Sequence, residues 1–143
     1  MMNEKYKIRD FAGWTIAIFG ALALLLGLVG LLNPEFILSM LGFEILPRAD
    51  RASTDYTIVF MIASSMASFN MGVYYIFAAL NDLKIFYRWT VPFRTLTFLV
   101  FTTAVISGLA PLPFIGVGAW EFVGAAFTGY ALYRHDKKEK GAS

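Results

Sequence analysis

The chain has no cysteine and a single histidine, His135, among its 143 residues. Without cysteine there is no disulfide, no thiol redox chemistry, no haem thioether and no Cys-ligated zinc or iron–sulfur site. His135 sits in a basic tail rather than in an apolar stretch, so no metal or other cofactor is expected. No Gly-rich segment follows a strand pattern, which removes a phosphate-binding loop, and no G-x-S-x-G nucleophile motif is present. No catalytic residue is therefore assigned. Charge is scarce as well. Charged residues make up 15% of the chain against 58% hydrophobic and 17% aromatic, a balance that departs from that of soluble domains.

What is present is four long apolar stretches, at 11–32, 56–80, about 91–110 and 112–133. The first two contain no Asp, Glu, Lys or Arg. About 20 residues rising ~1.5 Å each cross a ~30 Å hydrocarbon core. The pattern predicts an all-α integral membrane four-helix bundle, up-down-up-down, forming a single transmembrane domain over 1–143. The apolar core of the first stretch is too long for a signal peptide, and no small-x-small site precedes Asn33-Pro34, so it is expected to remain as a span.

Between the first two spans, 34–43 predicts a short helix at the outer membrane surface. Asn33 can cap it, Pro34 suits its first turn, and Glu35 meets the positive helix end. Phe36, Ile37, Met40 and Leu41 share a face, and Gly42 is a natural stop.

The basic residues set orientation. With four crossings, Lys5, Lys7, Arg9, Lys84, Arg88, Arg94, Arg134, Lys137, Lys138 and Lys140 share one side. Only Arg48 and Arg51 lie on the other. The positive-inside rule places both termini and the tail 134–143 in the cytoplasm of a bacterial-type plasma (inner) membrane. Arg88 and Trp89 in the second loop suit the headgroup level, and Arg94, about one turn into the third span, can snorkel back to that interface. Pro92 falls near the start of this span, and Pro111 and Pro113 force a tight hairpin before the fourth.

Small residues recur on single faces: Gly13, Gly20, Gly27 and Gly30 in the first span, Ser64, Ser68 and Gly72 in the second, Ala125 and Gly129 in the fourth. Such faces let helices approach closely, and through them the chain is expected to dock on its partners. Expected partners are membrane lipids and other membrane subunits or a second copy of the chain; nucleic acid is not expected.

One charged residue lies deep in a span: Glu121, near the midplane. A carboxylate facing lipid there costs about 2.5–3.5 kcal/mol on insertion scales, so it should face inward. It then either holds a proton or pairs with a donor, among them Asn70, a threonine hydroxyl or Arg94 reaching inward. Asn70, Thr102 and Thr103 fall at similar depth and could form one polar layer with it. Trp120 and Tyr74, with Tyr75, Phe69 and Phe77, could line a pocket for a flat apolar molecule. Glu121, Asn70, Trp120, Thr102, Thr103 and Tyr74 are the candidate ligand or proton site.

Four spans, a Gly-rich first helix, Asn33-Pro34-Glu35-Phe36 directly after it and a short final hairpin make the layout resemble the DoxX-like group of small bacterial membrane proteins. The resemblance implies a compact four-helix bundle, sometimes an accessory subunit of quinone-linked membrane redox systems. It transfers no catalytic residue. The leading expectation is a non-enzymatic accessory subunit or a binder of a lipid or quinone within the bundle. The alternative is a small proton-coupled transporter with Glu121 as the proton-exchanging carboxyl. A membrane enzyme using Glu121 as acid or base lacks an evident second catalytic group.

Overall fold

The computed structural model describes residues 6–141, apart from the side chain of residue 139. Lys5 and the last two residues of the predicted tail lie outside them. The described chain is all-helical: α1 (Phe11–Leu32), α2 (Pro34–Met40), α3 (Thr57–Leu80), α4 (Lys84–Ile106) and α5 (Phe114–Lys140), with one 3-10 turn at Arg48–Asp50. Among the described residues, α1, α3 and α4 are long and apolar enough to cross a membrane. α5 matches them in length but is less apolar, because it carries Glu121, four glycines and the basic tail.

Helix α4, the third of the long helices, departs from its expected limits of about 91–110. It begins at Lys84 and ends at Ile106, so the expected loop at 84–89 forms its first turns and Pro92 lies inside it. Tertiary packing explains the early start. Tyr87 is fully buried, and its hydroxyl donates to the Ala78 and Ala79 carbonyls at 3.3 and 3.4 Å. Asp82, with φ 53°, reverses the chain in the left-handed region that Asp tolerates better than most residues. Helix α5 likewise runs through the expected tail to Lys140. Asp136 there accepts from Arg88 at 2.7 and 2.9 Å, tying the last turns of α5 to the first turns of α4.

Helix α2 starts as the sequence suggests, with Pro34 at its first position and the Asn33 carboxamide accepting from the Phe36 amide at 3.0 Å. Its buried face is Pro34, Ile37 and Leu38, while Phe36 and Met40 are exposed. Gly42 then turns the chain at φ 81°. A Cβ added there would lie 2.7 Å from the Pro113 ring, so the segment after α2 sits directly on the α4–α5 link. Phe43 and Phe114 meet edge-on at 6.1 Å in the same place.

Helix α1 is central. It packs most extensively on α3 and also touches α2, α4 and α5, while α4 packs chiefly on α5. The α1–α3 approach uses the small residues. A Cβ on Gly20 would fall 2.7 Å from Tyr75 Cβ and 3.0 Å from the Gly72 carbonyl oxygen. Ser68 donates across the same seam to the Ala23 carbonyl at 2.9 Å. These faces are thus occupied within the chain. α3 has no comparable packing on α4 or α5. The two helices meet near their connecting turn, where Tyr75 and Phe86 rings lie 5.1 Å apart. Beyond this narrow end they make little direct contact, leaving a cleft that α2 borders.

The narrow end is held by Asp10. Its carboxylate caps α1 by accepting from the Gly13 amide at 2.8 Å and pairs with Lys84 at the start of α4. Burial pushes its pKa up, but the Lys84 and Gly13 hydrogen bonds and the nearby Lys84 and His135 charges outweigh it, so the carboxyl titrates below its ordinary 3.8. A depressed folded-state value means the contribution is present above the unfolded value and disappears as pH falls through the folded one. Asp10→Ala should cost about 1 kcal/mol for the cap alone. It should also flatten the loss of stability below about pH 4, measured as the unfolding midpoint against pH in detergent.

Candidate functional site

Arg94 and Glu121 form the polar centre of the molecule. Arg94 Nε donates to Glu121 Oε2 at 3.0 Å. Of the two courses open to Arg94 from sequence, the side chain takes the inward one: the residue is 3% exposed. Its guanidinium lies over the Phe19 ring at 3.5 Å, a cation–π contact that shields one face of the charge. Gly124 makes room for it, since a Cβ there would collide with the guanidinium. Phe19 in turn stacks on Trp120 at 6.2 Å and contacts Tyr75 at 5.3 Å. Three helices therefore build the pair: α4 supplies the cation, α5 the carboxylate and the gap, and α1 the aromatic lid.

The pair is incompletely satisfied. Arg94 Nη1 and Nη2 are both buried without a hydrogen-bond partner among the described residues. Glu121 keeps 22% of its side chain exposed. Buried donors without partners carry a desolvation cost of about 1–3 kcal/mol each, so these nitrogens are places where an acceptor would be welcome.

A cavity of about 490 Å³ lies in the cleft, between α2, α3 and the α4–α5 hairpin. Its walls are apolar, with Leu26, Phe60, Met61, Phe101, Phe114 and Val117, and with Ser64, Ser65 and Ser68 along α3. Helical spacing relates it to the ion pair. Two turns deeper than Leu26, Ser68, Phe101 and Phe114 on the same faces stand Phe19, Tyr75, Arg94 and Glu121. The pair thus lies two turns from the cavity lining along the same helix faces, and none of these four residues lines the cavity itself.

The other residues singled out from sequence are dispersed. Glu121 bonds Arg94, not Asn70, which is half-buried on α3. Thr102 lies about two turns above Arg94, with its hydroxyl buried and unpartnered. Thr103 is exposed and donates to the Leu99 carbonyl at 2.8 Å within its own helix. Tyr74 faces outward, while its neighbour Tyr75 is the buried ring. Trp120 joins the stack on Phe19 but is partly exposed. Arg88 pairs with Asp136, and Trp89 is exposed beside it.

Sequence reasoning missed Phe19 and Thr128. Thr128 is fully buried, donates to the Gly124 carbonyl at 2.9 Å and shares a hydrogen bond with Thr15 at 2.9 Å. A phenylalanine in an apolar run and a threonine near a helix end carry no signal until a neighbouring helix is placed against them. Among the described residues no group of three or more His, Asp and Glu side chains is arranged to hold a metal ion. No family model, curated protein or solved structure matches the chain.

Proposed function

We propose that this chain is a membrane protein whose four long helices all cross the bilayer, with both termini cytoplasmic, and that it holds a lipid or quinone in its cleft. The observation that carries the reading is the cavity of about 490 Å³ between α3 and the α4–α5 hairpin. Small-molecule sites are apolar hollows of about 300–1,000 Å³ with a few placed polar groups, and the three serines on the α3 wall answer that description.

The surface supports the membrane setting. Ile106 is 78% exposed and Val59 62%, and Phe93 and Leu99 are also exposed. Exposure of so many large apolar side chains is unfavourable in water and natural in lipid. For α5, pairing with Arg94 removes the main obstacle to crossing, because Glu121 meets a cation instead of lipid. The basic side then falls inside by the lysine and arginine asymmetry. The layout shared with the DoxX-like group points the same way, toward an accessory subunit beside a quinone-linked membrane system.

Gentle extraction followed by mass spectrometry of the intact protein tests the reading. A lipid or quinone should remain bound in about one-to-one ratio, which the cavity volume permits for a single molecule. Ser64→Trp, placed on the exposed side of α3, should fill the cavity and release that molecule without unfolding the protein. A ligand-free protein after mild extraction, or retention of the same molecule by Ser64→Trp, would count against it.

A further inference from the structure

At the opposite end of the molecule, cationic and aromatic groups gather where α1 and α5 part. A recess of about 270 Å³ is lined by Asp10, Phe11, Tyr130, Arg134, His135 and Lys138. Its charges are unbalanced. The Asp10 carboxylate is engaged by Lys84, and His135 lies 3.9 Å from Asp10 and 4.0 Å from Asp136. Arg134 and Lys138 form no ion pair with a described residue. The Arg134 guanidinium lies over the Tyr130 ring at 5.9 Å, which holds it at the edge of the recess.

Phe11 also borders a second hollow of about 270 Å³, which continues along the α1–α5 seam past Ile18, Val123 and Phe127 to Trp120. This second hollow is almost wholly apolar. On α5 the two form one stripe, with Lys138, Arg134, Tyr130, Phe127, Val123 and Trp120 spaced three or four apart. From Arg134 to Val123 the helix rises about 16 Å at ~1.5 Å per residue, the depth of one leaflet of a ~30 Å hydrocarbon core.

We infer that this seam binds an anionic phospholipid of the inner leaflet. Its phosphate would rest between Arg134 and Lys138, and one acyl chain would lie along Phe127 and Val123. Charge complementarity selects the headgroup, and the adjoining apolar groove selects a lipid over a free anion. The inference rests on the proposed membrane orientation, but it concerns a site separate from the cleft.

The full chain, purified in neutral detergent, is titrated with phosphatidylglycerol and with phosphatidylcholine of the same chains, following the unfolding temperature and the lipid retained in native mass spectrometry. Phosphatidylglycerol should bind and stabilise; phosphatidylcholine should do so far less. Arg134→Gln and Lys138→Gln should each weaken the phosphatidylglycerol effect about fivefold, roughly what one cation near a membrane surface contributes. Lys7→Gln, on the same side but outside the recess, should leave it unchanged. Val123→Trp should weaken it by blocking the chain groove. Equal response to both lipids, an unchanged response in the Arg134→Gln/Lys138→Gln double variant, or equal stabilisation by inorganic phosphate would overturn the inference. Failure of the membrane reading would look different: the protein would wash off membranes in alkaline carbonate and need no detergent.

Discussion

Replacing Glu121 with alanine should destabilise the protein by about 3–5 kcal/mol, the usual result of stranding one member of a buried ion pair. Arg94 would keep its charge, 3% exposed and stacked on Phe19, with its Nε partner gone. The informative experiment is a cycle. Arg94→Met should also destabilise, since it leaves Glu121 unpaired and empties the space beside Gly124. The double variant Arg94→Met/Glu121→Leu should recover much of the loss, because an apolar pair of similar volume needs no compensating charge. Denaturant titration of the four proteins in detergent measures this. Costs that simply add would show that the two side chains do not depend on each other. Glu121→Gln separates architecture from proton exchange. The amide oxygen can still accept from Arg94 Nε, so the fold should survive at reduced stability. A transporter would also lose proton-coupled flux in proteoliposomes at temperatures where the variant is still folded.

The second large effect is expected at Gly72. A Cβ there would lie 2.5 Å from the Leu24 amide nitrogen and 2.6 Å from the Gly20 carbonyl oxygen. Both are backbone atoms of the facing helix, so no side-chain rotation relieves the clash. Gly72→Leu must force α1 and α3 apart and break the Ser68 hydrogen bond to Ala23. Overpacking a tight interface costs about 1–3 kcal/mol and more where backbone opposes it, so a loss of at least 3 kcal/mol is expected. Gly129→Leu is the control. A Cβ at that position meets only Val91 methyls at 3.5 and 3.8 Å, an ordinary contact. It should change the unfolding midpoint far less than Gly72→Leu. Similar losses at both positions would mean that the α1–α3 seam is not the tight one.

That α1 and α3 each carry a small-residue face for close packing was legible, because glycine and serine at helical spacing are useful in apolar helices mainly for close approach. The identity of the partner was not: the expectation that these faces dock partner chains did not foresee their packing on each other. Gly20 meets Gly72 and Tyr75 only because the connection 33–56 returns α3 beside α1, and no local pattern encodes that. The same limit explains the site. Glu121 stood out as a charge in an apolar run, and Arg94 was a possible donor. Whether Arg94 turned inward or snorkelled depended on Gly124 leaving a gap and Phe19 offering a ring face, which are properties of three helices together.

Sequence alone determined that the described chain is helical, that long apolar helices dominate it and that α2 begins at Asn33-Pro34, and it set the expectation that Glu121 turns inward. Each of these follows from local periodicity, capping chemistry or the cost of an exposed charge in lipid. Tertiary structure alone decided that α1 is central, that α3 and α4 share little direct packing, and that a cavity opens between α3 and the α4–α5 hairpin beside α2, away from Asn70 and Trp120. A cavity is space that packing leaves unfilled, so it belongs to the relative placement of helices and to no single stretch of residues.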